Sequence, residues 1–206
     1  MNTLLKITFI TLFLFPIISN SFGQKKKRVD LLAIPEVTRD KVICFALYTV
    51  HNKTLKLTAQ LYPLKDDEDR NVRLEVKRND QWISISKTKV IERGWTAPFK
   101  VNNWDDSKKV SYRVRHGKNA KYEGIIQQNP KDKSEFVMVG FTGNSINPGH
   151  GGDIPKKDLV NNIKNIKPDL LFFSGDQVYD HKRHYAAWLK FGRDFGEVIR
   201  NYPTVT

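Results

Sequence analysis

Three oxygen-bearing side chains lie close together in the segment Asp176 to Asp180, which reads Asp-Gln-Val-Tyr-Asp. Asp176, Tyr179 and Asp180 offer two carboxylates and a phenol, and a hard di- or trivalent cation binds oxygen groups of this kind. Gly175 precedes Asp176 and has no side chain, so a metal ion or a substrate can come close to the backbone. The spacing therefore predicts a metal site at this turn. The alternative is an aspartate that only caps the following helix.

The turn follows a short apolar segment that would place it at the edge of a sheet. Residues 169–173 read Asp-Leu-Leu-Phe-Phe, and a continuous apolar run is typical of a strand covered on both faces. In open α/β sheets, ligand-binding loops meet at the carboxyl ends of the strands. An earlier apolar segment at 135–141 and helical patterns at 155–166 and 185–200 complete a predicted β-α-β-α order, which begins a parallel sheet.

The segment 174–180, Ser-Gly-Asp-Gln-Val-Tyr-Asp, resembles the Gly-Asp-x-x-Tyr-[Asp/Glu] motif of metallophosphoesterases of the alkaline phosphatase D (PhoD-like) family. In that family the aspartate bridges two metal ions and the tyrosine phenolate ligates one of them. The resemblance implies these roles for Asp176 and Tyr179. It also implies an α/β metallophosphoesterase (calcineurin-like) domain and a binuclear site for iron, calcium, manganese or zinc. The expected substrate is a phosphate ester, hydrolysed by a metal-activated water.

The loop after the first predicted strand of this segment departs from the family pattern. Residues 141–145, Phe-Thr-Gly-Asn-Ser, stand where the related enzymes carry Asp-x-His or a Ser-Cys-Gln-like turn whose cysteine ligates iron. Asn144 aligns best with the ligand position, although an amide oxygen binds metal more weakly than a carboxylate or a thiolate. We predict Asn144 as a weak metal ligand, and Asp180, His150 and His181 as residues that support the ligands. Alternatively, Asn144 and His150 only shape a glycine-rich loop.

The preceding part of the chain shows the alternation of a β-sandwich. Apolar and polar residues alternate in seven short runs between residues 42 and 126, and turn-forming residues separate the runs. Seven short strands in about 90 residues are typical of an immunoglobulin- or fibronectin III-like sandwich. We expect its aromatic residues to fill the core, with a carbohydrate-binding platform as the alternative. The polar, proline-containing residues 129–134 mark the boundary to the α/β part.

The amino terminus has the order of a secretory signal. Lys6 precedes an apolar run at 7–18, and small residues at Ser21 and Gly23 lead to a cleavage site before Gln24. The run is short for a membrane span, and an uncleaved anchor is the alternative. We predict an exported protein (periplasmic, cell-surface or secreted) with no transmembrane segment after signal removal. The predicted organisation is a signal peptide at 1–23, a basic linker at 24–35, a sandwich at 36–128 and an incomplete metallophosphoesterase domain at 134–206.

Composition narrows the classes of function. The 206 residues are 39% hydrophobic and 28% charged, which is the balance of a globular protein and not of a disordered one. The net charge of +13 suggests nucleic-acid binding. However, most lysines fall in predicted turns or on polar faces of strands, so no specific nucleic-acid partner is predicted. Cys44 is the single cysteine, which excludes an intramolecular disulfide. The oligomeric state stays open.

Two functions fit these patterns. The first is the amino-terminal portion of an exported PhoD-like phosphatase or phosphodiesterase. We expect the isolated 206-residue chain to be a truncation or fragment without activity, because Asp176, Tyr179 and Asn144 supply at most half of a binuclear site. The second is a non-catalytic exported β-sandwich that binds anionic or glycan polymers through its basic surface.

Overall fold

The structure is a computed structural model that describes residues 29–179 and 182–206. The predicted signal peptide, the first part of the basic linker, and the candidate site residues Asp180 and His181 lie outside the described residues. The first part of the chain forms seven strands: β1 Ile43–His51, β2 Thr54–Leu61, β3 Asn71–Arg78, β4 Gln81–Lys89, β5 Thr96–Val101, β6 Val110–His116 and β7 Ala120–Ile126.

These seven strands form a β-sandwich of two antiparallel sheets. One sheet has the strand order β1-β2-β5 and the other the order β4-β3-β6-β7. Alternate side chains turn inward on both sheets, so Leu57 of β2 and Leu74 of β3 are both completely enclosed. Tyr48 and Tyr112 meet edge to face across the core, with ring centroids 6.2 Å apart. The predicted β-sandwich is confirmed, while its immunoglobulin or fibronectin subtype stays a prediction.

Two of the hairpins end in tight turns that explain why the strands reverse where they do. Asn52 and Lys53 between β1 and β2 both have positive φ, at 46° and 53°. Asn79 and Asp80 between β3 and β4 repeat this pattern, with φ at 47° and 62°. Paired positive φ values match the right-handed twist of the strands, and asparagine and aspartate adopt them at low cost. The turns therefore fix the strand register locally.

The second part of the chain alternates strands and helices. Its elements are β8 Met138–Phe141, α1 Lys157–Ile166, β9 Leu170–Phe173, α2 His184–Ile199 and β10 Thr204–Val205. The three strands form a parallel sheet in the order β10-β9-β8, with Phe141 of β8 opposite Phe173 of β9. The predicted β-α-β-α order is present, and β10 adds a third parallel strand to it.

Both helices cover the same face of this parallel sheet. The helices α1 and α2 contact each other, and a cavity is lined jointly by Leu159 of α1, Phe195 of α2 and the sheet residues Phe141 and Phe173. Alternate strand residues point to the opposite face, where Phe172 is 38% exposed and Val205 is 41% exposed. Among the described residues, no helix covers that second face.

A row of aromatic rings connects the sandwich to the parallel sheet through α2. Phe45 of β1 lies edge-on to Phe191 of α2, with centroids 6.0 Å apart. Phe191 lies edge-on to Phe173 of β9 at 4.9 Å, and Phe173 stacks on Phe141 of β8 at 4.5 Å. Edge-to-face and offset stacked rings of this kind add to the stabilisation from burial alone. The two parts of the chain therefore share one core.

Glycines and polar bonds bring α2 unusually close to the sandwich. A methyl carbon added at Gly192 would lie 2.5 Å from Phe45 Cε1 and closer still to Cδ1, so the helix backbone sits directly on that ring. The Tyr122 hydroxyl donates to the Gly196 carbonyl at 2.9 Å, and the Tyr185 hydroxyl donates to the Leu61 carbonyl at 2.7 Å. The predicted domain boundaries remain a prediction, and α2 packs directly against the sandwich.

Asp169 ties the polar joint between the two parts to the start of β9. Its carboxylate accepts a hydrogen bond from the Val137 N–H at 3.0 Å and forms an ion pair with Lys133, and its side chain is only 9% exposed. Burial raises the pKa of Asp169, but the hydrogen bonds from Lys133 and Val137 lower it by more. The net effect holds the pKa below its ordinary value.

The lowered pKa predicts a pH-dependent contribution of Asp169 to stability. The contribution is fully present above the unfolded-state pKa of about 3.9 and is lost as the pH falls through the lower folded-state pKa. We expect Asp169→Asn to reduce the free energy of unfolding by about 1 kcal/mol at pH 7 and by progressively less below pH 4. Urea unfolding at pH 7 and at a pH below 4 measures this change in the free energy of unfolding. The control is Asp132→Asn, which alters an exposed aspartate. An equal loss at both pH values would contradict the assignment.

Candidate functional site

The loops that follow β8 and β9 lie side by side at the carboxyl ends of the strands. The Asn144 N–H donates to the Asp176 carbonyl at 2.9 Å, and the Tyr179 N–H donates to the Asn144 carbonyl at 2.9 Å. A third bond, from the Ser174 N–H to the Phe141 carbonyl at 2.9 Å, joins the loops where they leave the sheet. The backbone of Asn144 is thus held between those of Asp176 and Tyr179.

The side chain of Asn144 is fixed by its own amide group. Its Nδ2 donates to the Gln177 carbonyl at 3.0 Å and lies 3.5 Å from Oδ2 of Asp194. With Nδ2 engaged by protein groups, Oδ1 is the atom with which Asn144 can accept a bond from a ligand or hold a cation. The half-buried position of the side chain limits its choice of rotamer.

The backbone around Asp176 is turned sharply. Gly175 has φ of 111°, a conformation that requires glycine, and Asp176 has φ of 47° in the left-handed region. Aspartate is one of the few other residues that enter this region, although the conformation still carries some strain. Strained backbone of this kind concentrates at functional sites. The side chains of Asp176 and Tyr179 are both exposed, the latter by 49%.

A cavity of about 150 Å³ opens beside Asn144 and Asp176. Its apolar walls come from Leu159 of α1, Phe195 of α2 and the ring pair of Phe141 and Phe173. Its remaining lining residues are small or polar: Thr142, Gly143, Asn144, Lys156, Gly175, Asp176 and Gln177. Of the described candidate residues, Asn144 and Asp176 line the cavity, whereas Tyr179 and His150 do not.

His150 belongs to a tightly folded glycine-rich loop. It ends a short 3-10 turn at Pro148–His150, is exposed, and is followed by Gly151 with φ of 71°. A methyl carbon added at Gly152 would lie 2.5 Å from the Asn147 nitrogen, so only glycine fits there. This geometry supports the alternative that the segment shapes the loop, and His150 remains a candidate by its position in the chain alone.

Two charged residues near the site were not singled out from the sequence. Lys156 lies directly before α1 and lines the cavity. Asp194 approaches the Asn144 amide and forms an ion pair with Lys190 at 2.6 Å, and both side chains are mostly buried. An aspartate four residues after a lysine in a predicted helix was the available signal for that pair. The sequence carried no comparable signal for Lys156, because its position before α1 is known only from the structure.

The side chains of the predicted ligands carry oxygen donors, which are the kind of ligand that a hard cation binds. Asp176 offers a carboxylate, Tyr179 a phenol and Asn144 an amide oxygen, and backbone bonds hold the three residues on adjacent loops. All-oxygen donor sets favour calcium, manganese or ferric iron over metals that prefer thiolate ligands. Within residues 29–179 and 182–206, no group of three or more histidine, cysteine, aspartate and glutamate residues is arranged to hold a metal ion.

No protein-family model matches the chain, and no curated protein matches it significantly. None of the helices in the described part of the chain is both long and apolar enough to cross a lipid bilayer.

Proposed function

We propose that the chain is the amino-terminal portion of an exported metal-dependent phosphatase or phosphodiesterase of the PhoD-like type. The parallel sheet of β8, β9 and β10 would then begin its α/β metallophosphoesterase domain. One observation carries the proposal: the motif residue Asp176 and the predicted ligand Asn144 line one cavity at the carboxyl ends of two adjacent parallel strands. That edge is where ligand sites of open α/β sheets form.

The residues of the site have distinct roles in this proposal. Asp176 would hold the metal through its carboxylate, Tyr179 through its phenolate oxygen and Asn144 through Oδ1. A bound metal ion supplies a hydroxide near neutral pH and neutralises charge on the phosphate. The Gln177 carbonyl orients Asn144 by accepting from its Nδ2. The phenylalanine walls of the cavity keep water away from one side of the bound ester, which strengthens electrostatic contacts there.

Manganese binding by the chain tests this proposal directly. Electron paramagnetic resonance and calorimetric titration would compare the parent chain with Asp176→Ala and with Asp153→Ala, which removes an exposed carboxylate from the neighbouring loop. We expect Asp176→Ala to weaken manganese binding about tenfold or more, because it removes the charged ligand. Asp153→Ala should leave the affinity within about twofold. Equal affinity in the parent chain and Asp176→Ala would refute the proposal.

The alternative function, a sandwich that binds glycans or anionic polymers, receives less support because the tryptophan rings are already engaged. Arg113 covers the Trp82 ring at 4.4 Å while pairing with Glu75 at 2.6 Å. Trp104 is buried within the core, and Arg70 lies 5.7 Å from the Trp95 ring centroid. A carbohydrate platform needs exposed, uncovered ring faces, and each of these three tryptophan rings is buried or lies beside an arginine.

A further inference from the structure

We propose that the cavity beside Asp176 receives the phosphoryl group of the substrate and that Lys156 binds its non-bridging oxygens. The identity of the ligand as a phosphate ester rests on the proposed function. The anion preference rests on the cavity and the lysine alone, and neither the motif nor the family resemblance assigns a role to Lys156. The inference therefore adds a substrate-binding residue to the metal ligands already named.

The position of Lys156 leaves its ammonium group ready to bind an anion. The side chain is half-buried, and its Nζ lies 3.3 Å from the Gly151 carbonyl. This carbonyl is the one polar contact that the described residues provide, and no carboxylate among them pairs with the lysine. An ammonium group has three N–H donors. An anion that accepts hydrogen bonds from the remaining N–H groups would stabilise this partly buried cation.

The folded loop explains how Lys156 is held at the edge of the cavity that it lines. The tight turn at Gly151 and Gly152 brings the chain back toward α1, and its Gly151 carbonyl anchors the lysine. Gly143 and Gly175 also line the cavity and leave open space there, since a methyl carbon at either position would meet nothing within 4 Å. Backbone can therefore approach a ligand closely on those sides.

The cavity has the right size for a small tetrahedral anion. Its volume is about 150 Å³, and an apolar cavity of about this volume in another protein holds a benzene ring. Phosphate has one heavy atom fewer than benzene, and the cavity lining includes Thr142 and Gln177, whose side chains carry hydrogen-bond donors, together with Lys156. Dry apolar walls alone would favour an apolar ligand, so the lysine decides the class of ligand.

Asp176 affects anion binding and metal binding in opposite directions. Without metal, its carboxylate lies in the same cavity wall and repels a phosphate that Lys156 attracts. Removing the charge of Asp176 should therefore strengthen phosphate binding to the metal-free chain, although it weakens metal binding. This difference in sign separates the present inference from the proposed function.

The test is calorimetric titration of the metal-free chain with inorganic phosphate in the presence of a chelator. We expect Lys156→Met to weaken phosphate binding about tenfold, because a charge-assisted hydrogen bond is lost. The matched control Lys157→Met removes an exposed lysine at the next position and should change the affinity by less than about twofold. Lys156→Arg should retain most of the affinity, and Asp176→Asn should raise it about threefold.

Each outcome decides a different question. Absence of phosphate binding to the parent chain, or equal weakening by Lys156→Met and Lys157→Met, overturns the inference. A second outcome is phosphate binding that depends on Lys156 together with a manganese affinity that is unchanged by Asp176→Ala. This result would support the anion site and refute the proposed phosphoesterase function. Circular dichroism of every variant excludes a general loss of fold as the cause.

Discussion

In a form of the protein that hydrolyses phosphate esters with metal present, Asp176→Ala is expected to lower this activity at least about a thousandfold. The carboxylate of Asp176 is the charged metal ligand of the proposed site. Loss of the ion removes both the activated water and the charge that stabilises the transition state. Initial rates with an aryl phosphate monoester and a diester, in iron, calcium, manganese or zinc, give kcat/KM for the comparison.

Two further variants test whether the loss comes from the metal site. Tyr179→Phe removes the phenol oxygen and keeps the ring, so we expect a smaller reduction of about 10- to 100-fold. Asp153→Ala removes an exposed carboxylate of a neighbouring loop and should leave the rate unchanged within about twofold. Retention of most turnover in Asp176→Ala would show that the ester is hydrolysed elsewhere or by other groups.

Gly192→Ala is expected to destabilise the folded chain by about 2–3 kcal/mol, the upper part of the range for overpacking. The added methyl carbon would lie 2.5 Å from Phe45 Cε1, and the Phe45 ring is fully buried, so it has little room to move. In an exposed helix the same change would stabilise by about 1 kcal/mol. The close approach of α2 to β1 therefore reverses the usual sign. For a chain of this size the midpoint of thermal unfolding should fall by about 5–10 °C.

The helix itself provides the control for this prediction. Gly196 lies one turn further along α2, where an added methyl carbon would meet the Tyr122 hydroxyl at 3.3 Å. We expect Gly196→Ala to cost about 1 kcal/mol or less, because a small shift of that hydroxyl relieves the contact. Phe45→Leu should partly rescue Gly192→Ala, with a coupling of about 1–2 kcal/mol in a double-mutant cycle. Strict additivity of Phe45→Leu and Gly192→Ala would contradict the close approach.

The strands of the sandwich could be predicted because alternation follows directly from burial on one face. All seven predicted runs correspond to strands, with ends that differ by a few residues. The apolar segment 135–141 shows where this signal fails, since β8 begins only at Met138. Val137 bonds through its N–H to the Asp169 carboxylate and through its carbonyl to the Asp169 N–H, so the regular ladder starts after it. Such a side-chain bond leaves no periodic trace in the sequence.

The proximity of Asn144 and Asp176 was also predictable, because loops after adjacent parallel strands share one edge of the sheet. The role of Lys156 was not, since its position depends on a folded loop with no periodicity. The packing of α2 against the sandwich could not be predicted from the sequence either. Its glycines suggest weak helix positions when read along the sequence, and only the placement of Phe45 shows why a larger residue does not fit at Gly192.

The fit between Phe45 and Gly192 also limits how such a gene can evolve. Recombination between diverged genes often joins segments at polar linkers, and residues 129–134 look like a suitable crossover point. A crossover there would pair Phe45 of one parent with the helix of another, and any residue larger than glycine at the contact would clash. Viable chimaeras should therefore inherit β1 and α2 from the same parent, although a long stretch of sequence separates them.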